Sequence, residues 1–267
     1  MTVHITEHRD GFKPGTTSIT RFDEPHDSAL ISLDVLKLAA GESLSLTTAS
    51  ETAWLLMSGN VSGAAGEQTF GFSRKSLFDE SPSCLHVAAN TAVEMHCSSD
   101  TEFTVYSCDN QLPFAARVFA PADVANEPRG KGQVNNRCLR YVRTIFDATN
   151  SDPNTGLVLG EVITFQGGWS SYPPHHHPQP EIYHYRFTEP QGYGHAELGE
   201  TVLKVRNYDT VKILDLNDHS QCAAPGYGMY YAWVIRHLPN DRYSVPEFTP
   251  EHKWIMQAGA RYWDPKV

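Results

Sequence analysis

The chain has 267 residues, of which 40% are hydrophobic and 19% charged, with a formal net charge of −10. That composition excludes a disordered chain, and the length allows a buried core without staples. The acid excess and the absence of a basic run exclude nucleic-acid binding by phosphate neutralisation, although local arginines can still serve a small anion.

The N-terminal residues lack a basic stretch followed by an apolar core, so no signal peptide is expected. No apolar run approaches the roughly 20 residues that span a bilayer, so no membrane partner is expected. The five cysteines, Cys84, Cys97, Cys108, Cys138 and Cys222, form no CxxC pair. An odd count argues against a disulfide framework and for a reducing, cytoplasmic location. Each cysteine then reads as a small buried hydrophobe.

Short β-rich runs broken by Gly, Pro, Asn and Asp follow one another along the chain. Residues 31–35 and 93–97 alternate with period two, and residues 103–108 form another candidate strand. Residues 53–57 are a short apolar run that Ser58, Gly59 and Asn60 are expected to end as a turn. Residues 110–136 change character, with Pro113, Pro121, Pro128 and the run Arg129-Gly-Lys-Gly132. This stretch reads as the crossover between two halves, 1–125 and 126–267. Arg129 and Lys131 within it read either as an anion site or as linker charges facing water.

Strands are expected again over 140–146, 157–165, 181–187, 201–205, 210–214 and 229–235, the last being the strongest β run. Residues 35–41 faintly resemble 162–168, a strand and then a turn glycine, and Glu51 precedes the next strand much as Glu181 does. The halves therefore read as one fold used twice.

Residues 169–181 carry most of the chemistry. Pro173, Pro174, Pro178 and Pro180 exclude a helix. Pro178 also biases His177 toward an extended backbone. Extended backbone puts His175 and His177 on one face and His176 on the other. Two imidazoles and the Glu181 carboxylate make most of a divalent-metal site, and His219 could close it. The triplet alone reads equally as a solvated loop; Glu181 and His219 tip it toward metal.

The pattern Gly168, His175-x-His177-x3-Glu181 and a later His219 resembles the signature of cupins, small jelly-roll barrels that enclose a site. Residues 169–175, 181–187, 190–193 and 224–234 together resemble the 5-deoxy-glucuronate isomerase family of bacterial inositol catabolism. So do residues 38–44, 129–132, 140–143 and 250–255, so the likeness spans most of the chain. The resemblance implies an all-β bicupin, two jelly-roll barrels in tandem, with metal ligands in the second barrel and none in the first. It implies interconversion of the sugar acid 5-deoxy-glucuronate with its ketose isomer, 5-dehydro-2-deoxy-gluconate. The related 4-deoxy-hexosulose-uronate ketol-isomerases of pectin breakdown use a similar site of two His, a Glu and a third His. The approach to His219 departs from the family pattern, and Asn217 is expected to take the left-handed conformation a glycine would. Edge pairing of sheets makes a homo-oligomer the expected assembly.

An aldose–ketose isomerase moves a proton between adjacent carbons and between their oxygens. A metal can polarise those oxygens, and a base must reach the carbon-bound proton. Zinc, manganese, iron or nickel would all suit an N/O-rich site. Tyr183 and Tyr185 share the Glu181 face and are candidates for proton relay; barrel packing is the alternative. Arg186 or Arg143 could pair with a substrate carboxylate, or each could form an internal ion pair. Gln191 sits in a Pro-Gln-Gly turn, as a substrate contact or as part of the turn alone. His184 should face away from Glu181, and His195, His237 and His252 show no ligand spacing. Two rival readings remain: another cupin metalloenzyme such as an Fe(II) dioxygenase, and a non-catalytic sugar-binding bicupin.

Overall fold

A computed structural model describes residues 3–265. Among them the regular structure is β, apart from short 3-10 turns at Pro121–Asp123 and Pro250–Met256. The strands build two jelly-roll units in tandem, each of two facing sheets with free edges rather than a closed barrel.

The first unit turns on one strand, Glu51–Ala65. The expected turn at Ser58-Gly59-Asn60 does not occur, because the strand bends there and continues. Before the bend it pairs with Cys84–Val87 and Thr101–Cys108; after it, with Gln68–Arg74 and Ala92–Cys97. A register shift between Leu56 and Ser58 marks the corner. Gly59 sits there at φ +110, where a Cβ would lie 2.6 Å from the Asp100 carbonyl oxygen. Glycine thus lets one strand serve two sheets.

In the second unit the larger sheet runs in the order His4–Ile5, Thr210–Ile213, Glu181–Phe187, Met229–Arg236, Leu157–Thr164, Arg140–Phe146, Glu127–Arg129. Its inner strands are covered on both faces, so every residue of Leu157–Thr164 and Glu181–Phe187 is buried, Glu161, Glu181, His184 and Arg186 included. The facing sheet holds Thr201–Arg206, Tyr193–Leu198, His219–Ala223, Trp169–His176 and Glu247–Phe248. The first strand of the chain, His4–Ile5, pairs with Thr210 and Val211 of this second unit. Buried Asp209 holds it there, 2.8 Å from His4 and 2.6 Å from Arg9.

The largest apolar cluster bridges the two units, with Leu33, Leu55 and Met57 against Phe146, Leu159 and Val234. Two buried carboxylates stitch the same seam. Glu161 accepts from Arg74, Arg143 and the Tyr230 hydroxyl. Glu51 meets His86 and accepts from Asn110 and the Gly156 and Leu157 amides.

All five cysteines are free; Cys84, Cys97, Cys108 and Cys138 are buried as expected, and Cys222 is only half-buried. Asn217 departs from expectation: its φ is not positive, and its amide and side chain both bond Asp215 in an Asx-type turn. No helix among the described residues is long and apolar enough to cross a membrane.

Candidate metal centre

The two sheets of the second unit bring distant residues together. Trp169–His176 pairs antiparallel with His219–Ala223, with His175 and His219 directly opposite. His177 follows immediately after the first of these strands. Glu181 opens its own strand on the facing sheet, opposite Ile213 and Ile235. The ligand atoms of His177, Glu181 and His219 all lie within 4.8 Å of one another. His175 stands beside this trio, its ring centroid 4.4 Å from that of His219 and 6.4 Å from that of His177. His176 points away, as the alternation requires, and meets Asp218 at 2.7 Å.

The tautomers follow from the backbone. The Nδ1 atoms of His177, His219 and His175 face the carbonyl oxygens of Gln179, Asn217 and Pro173, at 2.9, 3.3 and 3.4 Å. An Nδ1–H donating to a carbonyl leaves Nε2 as a bare acceptor. Those Nε2 atoms of His177 and His219 point at the Glu181 carboxylate, at 3.3 and 3.4 Å from Oε2. Acceptors face an acceptor, and Glu181 Oε2 and His219 Nε2 are buried without any hydrogen-bond partner. Such an arrangement is costly in itself and is relieved by a cation. The donor set suits a divalent ion.

Electrostatics keep the groups ready. Burial opposes ionisation of Glu181; a proton on His177 or His219 outweighs it and holds the carboxyl down at about 2, and where both rings stay neutral acceptors that task falls to a cation. Burial, aided by His219, pulls His175 down to about 3, so it stays neutral. The cluster opens onto a cavity of about 350 Å³. Tyr183, Trp233 and Tyr243 form part of its wall, and Tyr183 lies 6.0 Å from the His219 ring. Burial pushes the Tyr183 phenol well above its usual value, so it remains protonated.

The other expected site residues lie elsewhere. The Tyr185 hydroxyl donates to Gln221 at 2.8 Å and is not on the cavity wall. Arg186 pairs with Glu102 of the first unit and stacks on Tyr208; it also contacts His184. Arg143 is bound to Glu161 in the seam between units. Gln191 is exposed in its turn, away from the cavity. The internal ion pair is thus the arrangement adopted by both arginines. His184 bonds Thr210, as a residue facing away from Glu181 should.

Two cavity residues, Trp233 and Tyr243, carry no site signal in the sequence, whereas Arg129 reads there as a possible anion contact. Trp233 lies over Gly160, where a Cβ would come within 2.5 Å of the indole Cε2. Tyr243 packs on His177 at 4.9 Å and comes from a loop with no motif. Arg140 and Arg129 line the cavity, whereas Arg143 does not. Arg140 and Arg143 are three apart on one strand and so lie on opposite faces.

Fold and cavity define an all-β protein of the cupin class, two jelly rolls with one histidine-lined pocket. The chain belongs to the KduI/IolB family, whose profile matches residues 4–255. It is similar to the 5-deoxy-glucuronate isomerase of Geobacillus kaustophilus, 28% identical over 253 residues, covering 85% of this chain and 86% of that one. The 5-deoxy-glucuronate isomerase of Halalkalibacterium halodurans is 29% identical over 255 residues, covering 85% and 88%. An IolB-like protein from Salmonella typhimurium LT2 superposes with a TM-score of 0.78 at 25% identity, covering 92% of this chain and 97% of that one. A cupin 2 conserved barrel domain protein from Leptotrichia buccalis shares the fold at TM-score 0.53 and 13% identity, covering 88% and 96%. The expected fold class and family are met, and with them the expected enzyme class: an isomerase.

Proposed function

We propose that this protein is a metal-dependent aldose–ketose isomerase acting on a deoxy uronate, with 5-deoxy-glucuronate, the substrate in its relatives' names, as the first candidate. The product would be 5-dehydro-2-deoxy-gluconate, as in inositol catabolism. One observation carries the reading: ligand atoms of His177, Glu181 and His219 converge within 4.8 Å, those of Glu181 and His219 buried without a partner, beside a sugar-sized cavity that His175, His177 and Glu181 line. His175, His177, Glu181 and His219 would hold the ion; zinc, manganese, iron and nickel all suit this donor set. When bound, a divalent ion supplies polarisation of adjacent carbonyl and hydroxyl oxygens.

The chain's own groups do the rest. The Tyr183 phenol, kept protonated by burial, can donate to a substrate oxygen and take the proton back as the carbonyl shifts. Trp233 and Tyr243 narrow the cavity and keep water from the reacting carbons. The free, mostly buried cysteines support a cytoplasmic location.

The test is metal analysis of the purified protein, then turnover of 5-deoxy-glucuronate without oxygen, before and after chelation. The expected result is anaerobic turnover lost on chelation and restored by zinc or manganese. Oxygen consumption with strict iron dependence would mean a dioxygenase. Turnover unaffected by chelator would sink the metal role.

A further inference from the structure

Arg140, half-buried, is out of step with the buried arginines of this protein. Arg74 and Arg143 each bind Glu161, and Arg186 binds Glu102. Among the described residues, no carboxylate pairs with Arg140. Its Nη1 donates to the Cys138 carbonyl oxygen at 3.0 Å, and its Nε is buried with no partner. One backbone bond engages one of five guanidinium donors. Burial without an anion pulls its pKa down from the ordinary value, although the group stays charged. A half-buried guanidinium with no anion beside it costs stability, and this one faces the cavity.

The surroundings leave room for it. Gly130, at φ +72, is placed so that a Cβ would lie 2.8 Å from Arg140 Nη1. Arg129 lines the cavity as well, but it is half exposed and already paired with Glu127 at 2.8 Å. The charged cavity residues other than histidine are Arg129, Arg140, Asp147 and Glu181, two of each sign. A divalent ion at the histidine cluster would make the balance positive and favour an anionic ligand.

Aromatic rings pack in series away from the cluster. Tyr183 lies 6.0 Å from His219, and Tyr231 lies 4.9 Å from Tyr183. The charge of Arg140 acts on Tyr231 in turn. Arg140 and the cluster residues His175, His177 and Glu181 all line the one cavity, with Tyr183 on its wall.

We infer that Arg140 is the seat of the substrate carboxylate, binding one end of the sugar acid while the other end reaches the histidine cluster. This rests on the isomerase reading above and assigns its specificity for acids to one side chain. A guanidinium matches a carboxylate in two parallel hydrogen bonds, which fixes orientation as well as charge.

The test compares wild type with Arg140→Met and Arg140→Lys. Two aldoses serve as substrates: 5-deoxy-glucuronate and its neutral counterpart with a primary alcohol in place of the carboxylate. The expected result is that Arg140→Met lowers the acid-over-neutral preference in kcat/KM about 10- to 100-fold, mostly through KM. Arg140→Lys should restore part of it. Calorimetry on the metal-free proteins with gluconate, an inert six-carbon acid, should show binding by wild type and a loss of it in Arg140→Met. A preference unchanged in both variants, with unchanged gluconate binding, overturns the inference. Should wild type isomerise neither aldose, the functional reading fails, and gluconate binding alone then decides the role of Arg140. Should Arg140→Met fail to fold, a wild type that prefers the neutral aldose as much as the acid overturns it.

Discussion

The Nε2 atom of His177 lies 3.3 Å from Oε2 of Glu181, and neither atom can donate to the other. The His177 proton is engaged at Nδ1 by the Gln179 carbonyl oxygen. Two acceptors held together need a cation, or a proton on one of them. Glu181→Gln supplies an amide donor in place of the second acceptor. Without metal, the variant is expected to be at least as stable as wild type. With metal at about a hundredfold excess over Kd, wild type should gain about 2.7 kcal/mol, and the variant almost nothing. Melting curves with and without EDTA check this; a variant with the full metal-dependent rise in Tm would refute the ligand role of Glu181.

Tyr183 and Tyr185 share one strand face yet should differ in function. Only Tyr183 lines the cavity, while Tyr185 is tied to Gln221. Tyr183→Phe is expected to lower kcat by about 100-fold or more with unchanged metal content. Tyr185→Phe should instead cost about 1 kcal/mol of stability through the lost hydrogen bond. Equal losses of kcat in both would show that the pair acts through packing.

Gly160 shapes the cavity without touching a ligand. The Trp233 indole lies where its Cβ would be. Gly160→Ala should push the ring into the cavity, raising KM severalfold and costing about 1–3 kcal/mol from overpacking. Steady-state kinetics and a urea titration separate the two effects. An unchanged KM would mean the indole moves outward instead.

Glu161 is one of the buried charges that join the two units. It is fully buried between Arg74 and Arg143. Glu161→Gln leaves two buried cations without an anion and should cost about 3–5 kcal/mol. The midpoint of urea unfolding is expected to fall sharply with little change in slope. A loss below about 1 kcal/mol would mean that the backbone carbonyls around the two arginines suffice.

Much of the fold was legible because its signals are local. The strands Arg140–Phe146 and Glu181–Phe187 end where composition and turn residues say they should. The exception is Glu51–Ala65, where Ser58-Gly59-Asn60 reads as a turn and is a bend. A glycine at positive φ serves either geometry, and the decision lies with the partner strands on both sides of Gly59.

From the sequence alone come the extended backbone through the proline-flanked histidines, the opposition of His176 to its neighbours, and the offset of Glu181. These follow from chain stereochemistry, which acts over a few residues. Tertiary structure alone decided which side of each strand looks inward. It set Arg140 toward the cavity and Arg143 toward Glu161, and it sent Arg186 to Glu102. Alternation says that residues three apart on a strand point to opposite faces; only the segments packed on those faces, distant in the chain, make one of them the pocket.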